Sequence, residues 1–293
     1  MSNTTVNLRR KITIAGDLQS VVRTMKALAA SNIGQYEESV RALANYHHVV
    51  ELGLGTCFRK TKPERSTPKR QKQADITGAV VFGSDQGLVG QFNDVIVEYA
   101  VKTLSALSSH PKVWAVGERV HTRLTDSGLE VTGFFAVPGS VNSITPMIGQ
   151  ILVESETYLQ QNRSTELYLF YNRPTSKAGY TPIGQRLLPL DETWRRNLSL
   201  IPWPTKNIPE VMGKGSKTLR AFIREYLFVS LFRACSESLA SENASRLAAM
   251  QRADKNIDEL LEYLNETFHR LRQSGIDEEL FDVISGFEAL SGR

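Results

Sequence analysis

The chain has 293 residues, of which 41% are hydrophobic and 23% charged, with a formal net charge of +4 and a pI near 9.0. That length accommodates one or two domains with a full core. The mild basicity comes without aromatic residues interleaved among the basic ones, so nucleic-acid binding is not expected. The two cysteines, Cys57 and Cys235, lie far apart without paired spacing, which argues against a zinc site or redox motif and fits a reducing compartment. No apolar run approaches the roughly 20 residues needed to span a bilayer. The N-terminal MSNTTVNLRRKI lacks the apolar core of a signal peptide. A soluble, cytoplasmic chain is the expectation, with membrane association only through partners.

The first predicted element, residues 1–58, is a long helix. Leu8, Ile12, Leu18, Val21, Val22, Met25, Leu28 and Ala29 recur at helical spacing with no proline, and Gly16 is the one early interruption. Residues 59–73 carry two prolines and seven basic residues and are expected to be a solvated linker. An α/β domain is expected over 74–206. Its strand candidates begin with Ile76–Asp85, Val113–Gly117 and Leu129–Val137. They continue with Glu166–Pro174 and Thr181–Leu190, which read as an antiparallel hairpin. Helical stretches at Phe92–Leu107, through Leu124 and at Ile144–Gln161 separate the earlier strands, so the sheet is expected to be mostly parallel and roughly five-stranded.

Helical periodicity returns over 207–293. Ile257, Leu260, Leu261, Leu264, Phe268 and Leu271 form a stripe, preceded by a segment dominated by small residues. Neither terminal helix buries its stripe alone, so the two are expected to pair as an antiparallel coiled coil flanking the inserted domain. Alanines on both helices, Ala27, Ala29 and Ala30 on the first and Ala240, Ala244, Ala248 and Ala249 on the second, are candidates for close helix contact.

Chemical motifs are sparse. The loop Gly83–Asn93, GSDQGLVGQFN, follows a strand and precedes a helix, but its glycines do not have the dinucleotide-binding spacing. Gly213-Lys214-Gly215-Ser216 lacks the upstream glycine of a phosphate loop. His47, His48, His110, His121 and His269 form no metal-binding spacing, and no serine sits in a nucleophile elbow. No catalytic residue, metal ligand or cofactor is expected from these patterns.

Four segments, in order, carry a resemblance. SLASENASRLAAM (Ser238–Met250) and RQSGIDEELFDVISG (Arg272–Gly286) resemble the C-terminal motifs of the gamma subunit of F-type ATP synthase. VVRTMKALAASNI (Val21–Ile33) is similar to that family's N-terminal helix motif, and GSDQGLVGQFN to its central loop. The chain departs from the pattern at Val89, Gln91, Asn32 and Asp277, which points to a divergent or alternate bacterial branch. The resemblance implies a central rotor stalk without catalytic residues. Its partners would be the alpha and beta subunits of the catalytic hexamer, epsilon, and the ring of c subunits. Its place would be peripheral, on the cytoplasmic face of a bacterial membrane. It also implies contacts with the beta subunit through Arg272, Gln273 and Asp277, and through Met25 and Lys26. Ala27, Ala30, Ala244, Arg246 and Ala248 would pack or stiffen the shaft, with Glu242 and Arg246 able to pair at i,i+4. Val283, Ile284, Phe287 and Leu290 would form an apolar tip. A coiled-coil scaffold with no rotary role, or an enzyme with helical arms, is the alternative reading of the same elements.

Overall fold

A computed structural model describes residues 2–60, 76–107, 111–161, 165–175, 179–207, 209–211 and 215–291. The basic run expected as a linker lies mostly outside these residues, and Arg59 and Lys60 close the first helix. The elements are α1 (Ser2–Lys60), β1 (Ile76–Phe82), α2 (Phe92–Leu107), β2 (Lys112–Val116), α3 (Glu118–Asp126) and β3 (Glu130–Phe135). They continue with α4 (Val141–Gln161), β4 (Thr165–Thr175), β5 (Gly179–Leu188), α5 (Glu192–Leu200) and α6 (Gly215–Ser291). Two compact units result: Met1–Ala29 with Leu247–Arg293, and Ala30–Arg246.

In the first unit, α1 and α6 pair antiparallel. Gln19 donates to Asp258, and Arg23 reaches Asp254 at 3.2 Å and Asp258 at 3.6 Å. Lys26 Nζ lies 2.8 Å from Asp254. Rising numbers on one helix thus meet falling numbers on the other. Between them Val22, Met250 and Ile257 are buried, with Met25, Ala249, Ala253 and Leu261 packed around them. The buried positions step by seven, Ala15, Val22 and Ala29 on α1 and Met250, Ile257 and Leu264 on α6. Seven is the period that keeps one seam facing its partner in a left-handed supercoil.

That period corrects the expected packing. Ala27, Ala30 and Ala248 are exposed, and Leu260 is 48% exposed. Ala27 and Ala30 are two residues before and one after the seam position Ala29, which turns them roughly 200° and 100° around the helix from it. Ala248 stands in the same relation to Met250.

In the second unit, the sheet has order β3-β2-β1-β4-β5. β1 is parallel to β2 and β4, β2 is parallel to β3, and β5 is antiparallel to β4. Strand residues alternate between two cores with the period of two that a pleated strand requires. Val80, Phe82, Trp114, Val116, Leu167, Leu169 and Tyr171 face α4 and the α6 residues Leu227, Leu231 and Cys235. Ala79, Val81, Val113, Ala115 and Phe170 face α2 and α3. Burial on both faces accounts for the continuous apolar runs of the central strands. A smaller core joins α1, α5 and α6 through Val50, Leu54, Leu198, Tyr226 and Val229.

α5 was not expected from the sequence. Its N-cap Asp191 accepts from the Trp194 backbone N–H at 2.6 Å, and Trp194 packs against Phe58 and Tyr226. The sequence signal was present, an aspartate cap followed by apolar residues four apart at Trp194 and Leu198, but nine residues are too few for periodicity to register.

Candidate functional site

In an open parallel sheet, ligands bind outside the carboxyl ends of the strands, where successive connections leave in opposite directions. Here β1 connects to β2 on one side and β3 returns to β4 on the other, so that crevice lies beyond β1 and β4. The Gly83–Asn93 loop leaves from its floor.

Close approach of the strand ends depends on two glycines. A Cβ on Gly83 would lie 2.4 Å from Val120 Cβ, and one on Gly117, whose φ is +115°, would lie 2.8 Å from the Ser84 backbone. With both absent, Arg119 N donates to Ser84 O at 2.9 Å and Gly83 N to Val116 O at 2.8 Å. Asn93 closes the loop on itself, accepting from Ser84 N at 3.0 Å and donating to Ser84 Oγ at 2.8 Å. The Asp85 carboxylate then ties three strand ends together. One oxygen accepts from Glu118 N at the start of α3 and the other from Val137 N after β3, both at 2.9 Å. An anion at a helix N-terminus is favoured by the unpaired amides there.

α6 closes the crevice from above. Ser241 Oγ donates to Asn172 O at 3.0 Å, and Ser245 Oγ to Val89 O at 2.6 Å. Asn172, at the end of β4 and fully buried, donates through its side chain to Phe92 O at 2.9 Å. The segment Ser241–Arg246 therefore occupies the place where a phosphate or nucleotide would approach the strand ends. Within the loop, Gly83 N, Ser84 N, Ser84 O and Val89 O are paired inside the chain. The second glycine-rich candidate begins outside the described residues, and its Gly215 opens α6.

Beside that closure Glu242 is 5% exposed and accepts from Arg246 Nη2 at 2.7 Å. Burial pushes the Glu242 carboxyl above the usual carboxylate range; Arg246 opposes the shift and the Asp85 charge adds to it. Burial likewise raises the Cys57 and Cys235 thiols, which disfavours their thiolates. Among the described residues no group of three or more His, Cys, Asp or Glu side chains is placed to hold a metal.

The other sequence candidates are distributed along the helices. Met25 is half-buried against the Val22–Met250–Ile257 cluster, and the Lys26 ammonium faces Asp254. Arg272, Gln273 and Asp277 are exposed on α6. Farther along α6, Val283, Ile284 and Phe287 are 69%, 45% and 72% exposed, an apolar surface that Ile276, Leu280 and Phe281 extend. The Leu290 side chain lies outside the described ones. Ala244 is half-buried. Sequence reasoning missed Asp85, Asn172, Ser241 and Ser245. For Ser241 and Ser245 the signal was a run of small polar residues where a helix stripe would carry apolar ones.

A family model described as ATP synthase matches residues 4–290. The chain belongs to the ATP synthase gamma family. It is 25% identical to the ATP synthase gamma chain of Moorella thermoacetica over 284 residues, 97% of this chain and 98% of that one. It is 23% identical to that of Brevibacillus brevis over 289 residues, 96% and 97% of the two chains. The fold is similar to a chain of the Euglena gracilis mitochondrial ATP synthase structure containing OSCP, F1 and c-ring, with TM-score 0.69, 16% identity and coverage of 99% and 95%. A chain of the Tetrahymena thermophila central stalk and c-ring structure matches with TM-score 0.59, 23% identity and coverage of 80% and 99%. For a member of this family, the closed crevice and the paired helices are the two features that bear on what the chain does.

Proposed function

We propose that this chain is the central rotor stalk subunit of an F-type ATP synthase. In this reading it couples ion flow through a membrane ring of c subunits to ATP synthesis or hydrolysis in the hexamer of alpha and beta subunits. The match to the gamma family across residues 4–290 carries it. The chain is a subunit that transmits torque and does no chemistry itself. The closed crevice supports this, because the strand ends of its α/β domain hold a segment of its own α6. Among the described residues no helix is long and apolar enough to cross a membrane. In this reading the chain sits on the cytoplasmic face of a bacterial membrane, held there through its partners, the c ring and epsilon.

Rotation lets one rod present different faces to successive beta subunits, which biases otherwise equal sites through differential contacts. We assign those contacts to exposed Arg272 and Gln273, with Asp277 beside them as an anion. The Arg272 guanidinium suits a bidentate carboxylate partner. Met25 acts by packing the helix seam. Lys26 already faces Asp254, so an acidic partner would compete with that carboxylate. The off-seam alanines Ala27, Ala30 and Ala248 keep the helix surface smooth toward the surrounding subunits, and the apolar residues Val283, Ile284, Phe287 and Leu290 turn within an apolar bearing.

Co-expression with alpha and beta subunits tests this reading. The chain is expected to purify with them as a complex that hydrolyses ATP, while calorimetry of the chain alone detects no ATP binding. Micromolar ATP affinity of the isolated chain, or failure to join the hexamer, would exclude the stalk role.

A further inference from the structure

In the second unit, a cavity of about 340 Å³ opens between α1, the end of β4 and α6. Arg41, Arg173 and Glu237 line it together with Val40, Pro174 and Ala240. Glu237 is 5% exposed, and each of its oxygens is taken by a guanidinium. Arg173 Nε donates to one at 3.0 Å and Arg233 Nε to the other at 2.7 Å. One carboxyl group thus holds two cations, and their sum is positive whether or not Glu237 carries a proton. Arg41 and Glu37, both exposed on the cavity wall, add one charge of each sign. Arg173 is fixed by more than Glu237. Its Nη2 donates to the Tyr171 hydroxyl, and its guanidinium lies 5.5 Å from the centroid of the Tyr171 ring. Yet its side chain is 43% exposed, and its Nη1 meets no acceptor among the described residues. A guanidinium already held in place loses little further freedom when a ligand binds it.

We propose that this cavity receives an acidic side chain, glutamate or aspartate, of another subunit. The free edge of Arg173 and the Arg41 guanidinium supply N–H donors in the fork geometry that matches a carboxylate. The rest of the lining selects a side chain over a free ion. Val40 and Pro174 are half-buried and Ala240 is buried, so apolar surface lies beside the charged groups. An acidic side chain covers that surface with its methylene stem while its carboxylate meets the guanidinium groups. Inorganic phosphate has no apolar part with which to do so. The proposal rests on the stalk reading in placing the acidic residue on a partner subunit, and its first test uses the full chain alone.

N-acetylglutamate amide, titrated into the full chain and followed by ligand-observed NMR, is the probe. Saturable binding is expected, with the isosteric N-acetylglutamine amide about tenfold weaker, because hydrogen bonds to a charged acceptor are the stronger ones. Arg41→Gln is expected to weaken binding about threefold and Glu37→Gln to strengthen it about threefold, the size of effect that exposed charges have. The gain in Glu37→Gln cannot arise from unfolding. In the assembled complex, Thr175→p-benzoylphenylalanine places a photocrosslinker at an exposed position next to Pro174. Mass spectrometry is expected to find a captured partner peptide with Asp or Glu close to the captured atom, and changing that residue to its amide is expected to lower the yield several-fold. Equal binding of the two amides, or phosphate binding as tight as the glutamate probe, overturns the proposal. So does an assembled complex that yields no captured peptide, or one whose yield ignores the partner's carboxylate. Selective binding by a chain that fails to join the hexamer supports the site and contradicts the stalk reading, so the two are separable.

Discussion

Glu242 shows how a single residue can be stable and costly together. It is buried, and among the described residues Arg246 is its one counter-charge within hydrogen-bond reach. Removing one partner of such a pair leaves an uncompensated buried charge, so Arg246→Ala is expected to destabilise the full chain by about 3–5 kcal/mol in urea unfolding. The sign of the pH effect follows from the raised Glu242 pKa, whose main cause is burial. The native state holds this proton more tightly than the unfolded chain. The associated stability is complete below the ordinary carboxylate range and is lost as pH rises through the native value. Glu242→Gln is expected to flatten that decline in unfolding midpoint. Asp254 behaves oppositely. The Lys26 ammonium, with Arg23, holds its carboxyl below the usual range. Its contribution is present above that range and is lost in acid; high salt weakens it because the pair is near solvent.

At the scale of elements, the helices carry both expected and unexpected features. Gly16 and Gly275 lie inside the continuous helices α1 and α6, and a Cβ at either would meet nothing within 4 Å. Gly16→Ala and Gly275→Ala are therefore each expected to stabilise by about 1 kcal/mol, seen as a higher thermal midpoint. Ile257 is 7% exposed in the seam, and Ile257→Ala is expected to cost about 2–5 kcal/mol. The strands were readable because β-branched runs alternate with helical ones, and the hairpin of β4 and β5 was readable from its turn residues. The limits of α2 were legible because Phe92–Leu107 is amphipathic and free of breakers. The seam was less legible. A stripe shows that a helix has a buried face, but positions three and four apart do not reveal which residues sit at its centre. That required the partner, which selected Ile257 and Leu264 and left Leu260 outside. The α6 closure was hidden for a related reason. Ser241, Asn243 and Ser245 look like solvated polar residues until the β4 and loop carbonyls and the Asn32 amide they meet are in place.

For the whole molecule, membership of the ATP synthase gamma family directs attention to the surfaces that meet other subunits. The exposed residues of α6 then become the candidates for function in the assembled enzyme. Arg272→Ala combined with Gln273→Ala is expected to lower the ATPase turnover of the purified complex several-fold while subunit composition is unchanged. Unaltered turnover would remove the beta contact from the account. The most direct test of the central claim is single-molecule observation of the complex. The hexamer is fixed to a surface and a probe is attached to the α/β domain of this chain. The account predicts unidirectional rotation of the probe that requires ATP and stops when ATP is withdrawn. A probe that stays fixed while the same complexes hydrolyse ATP would contradict it.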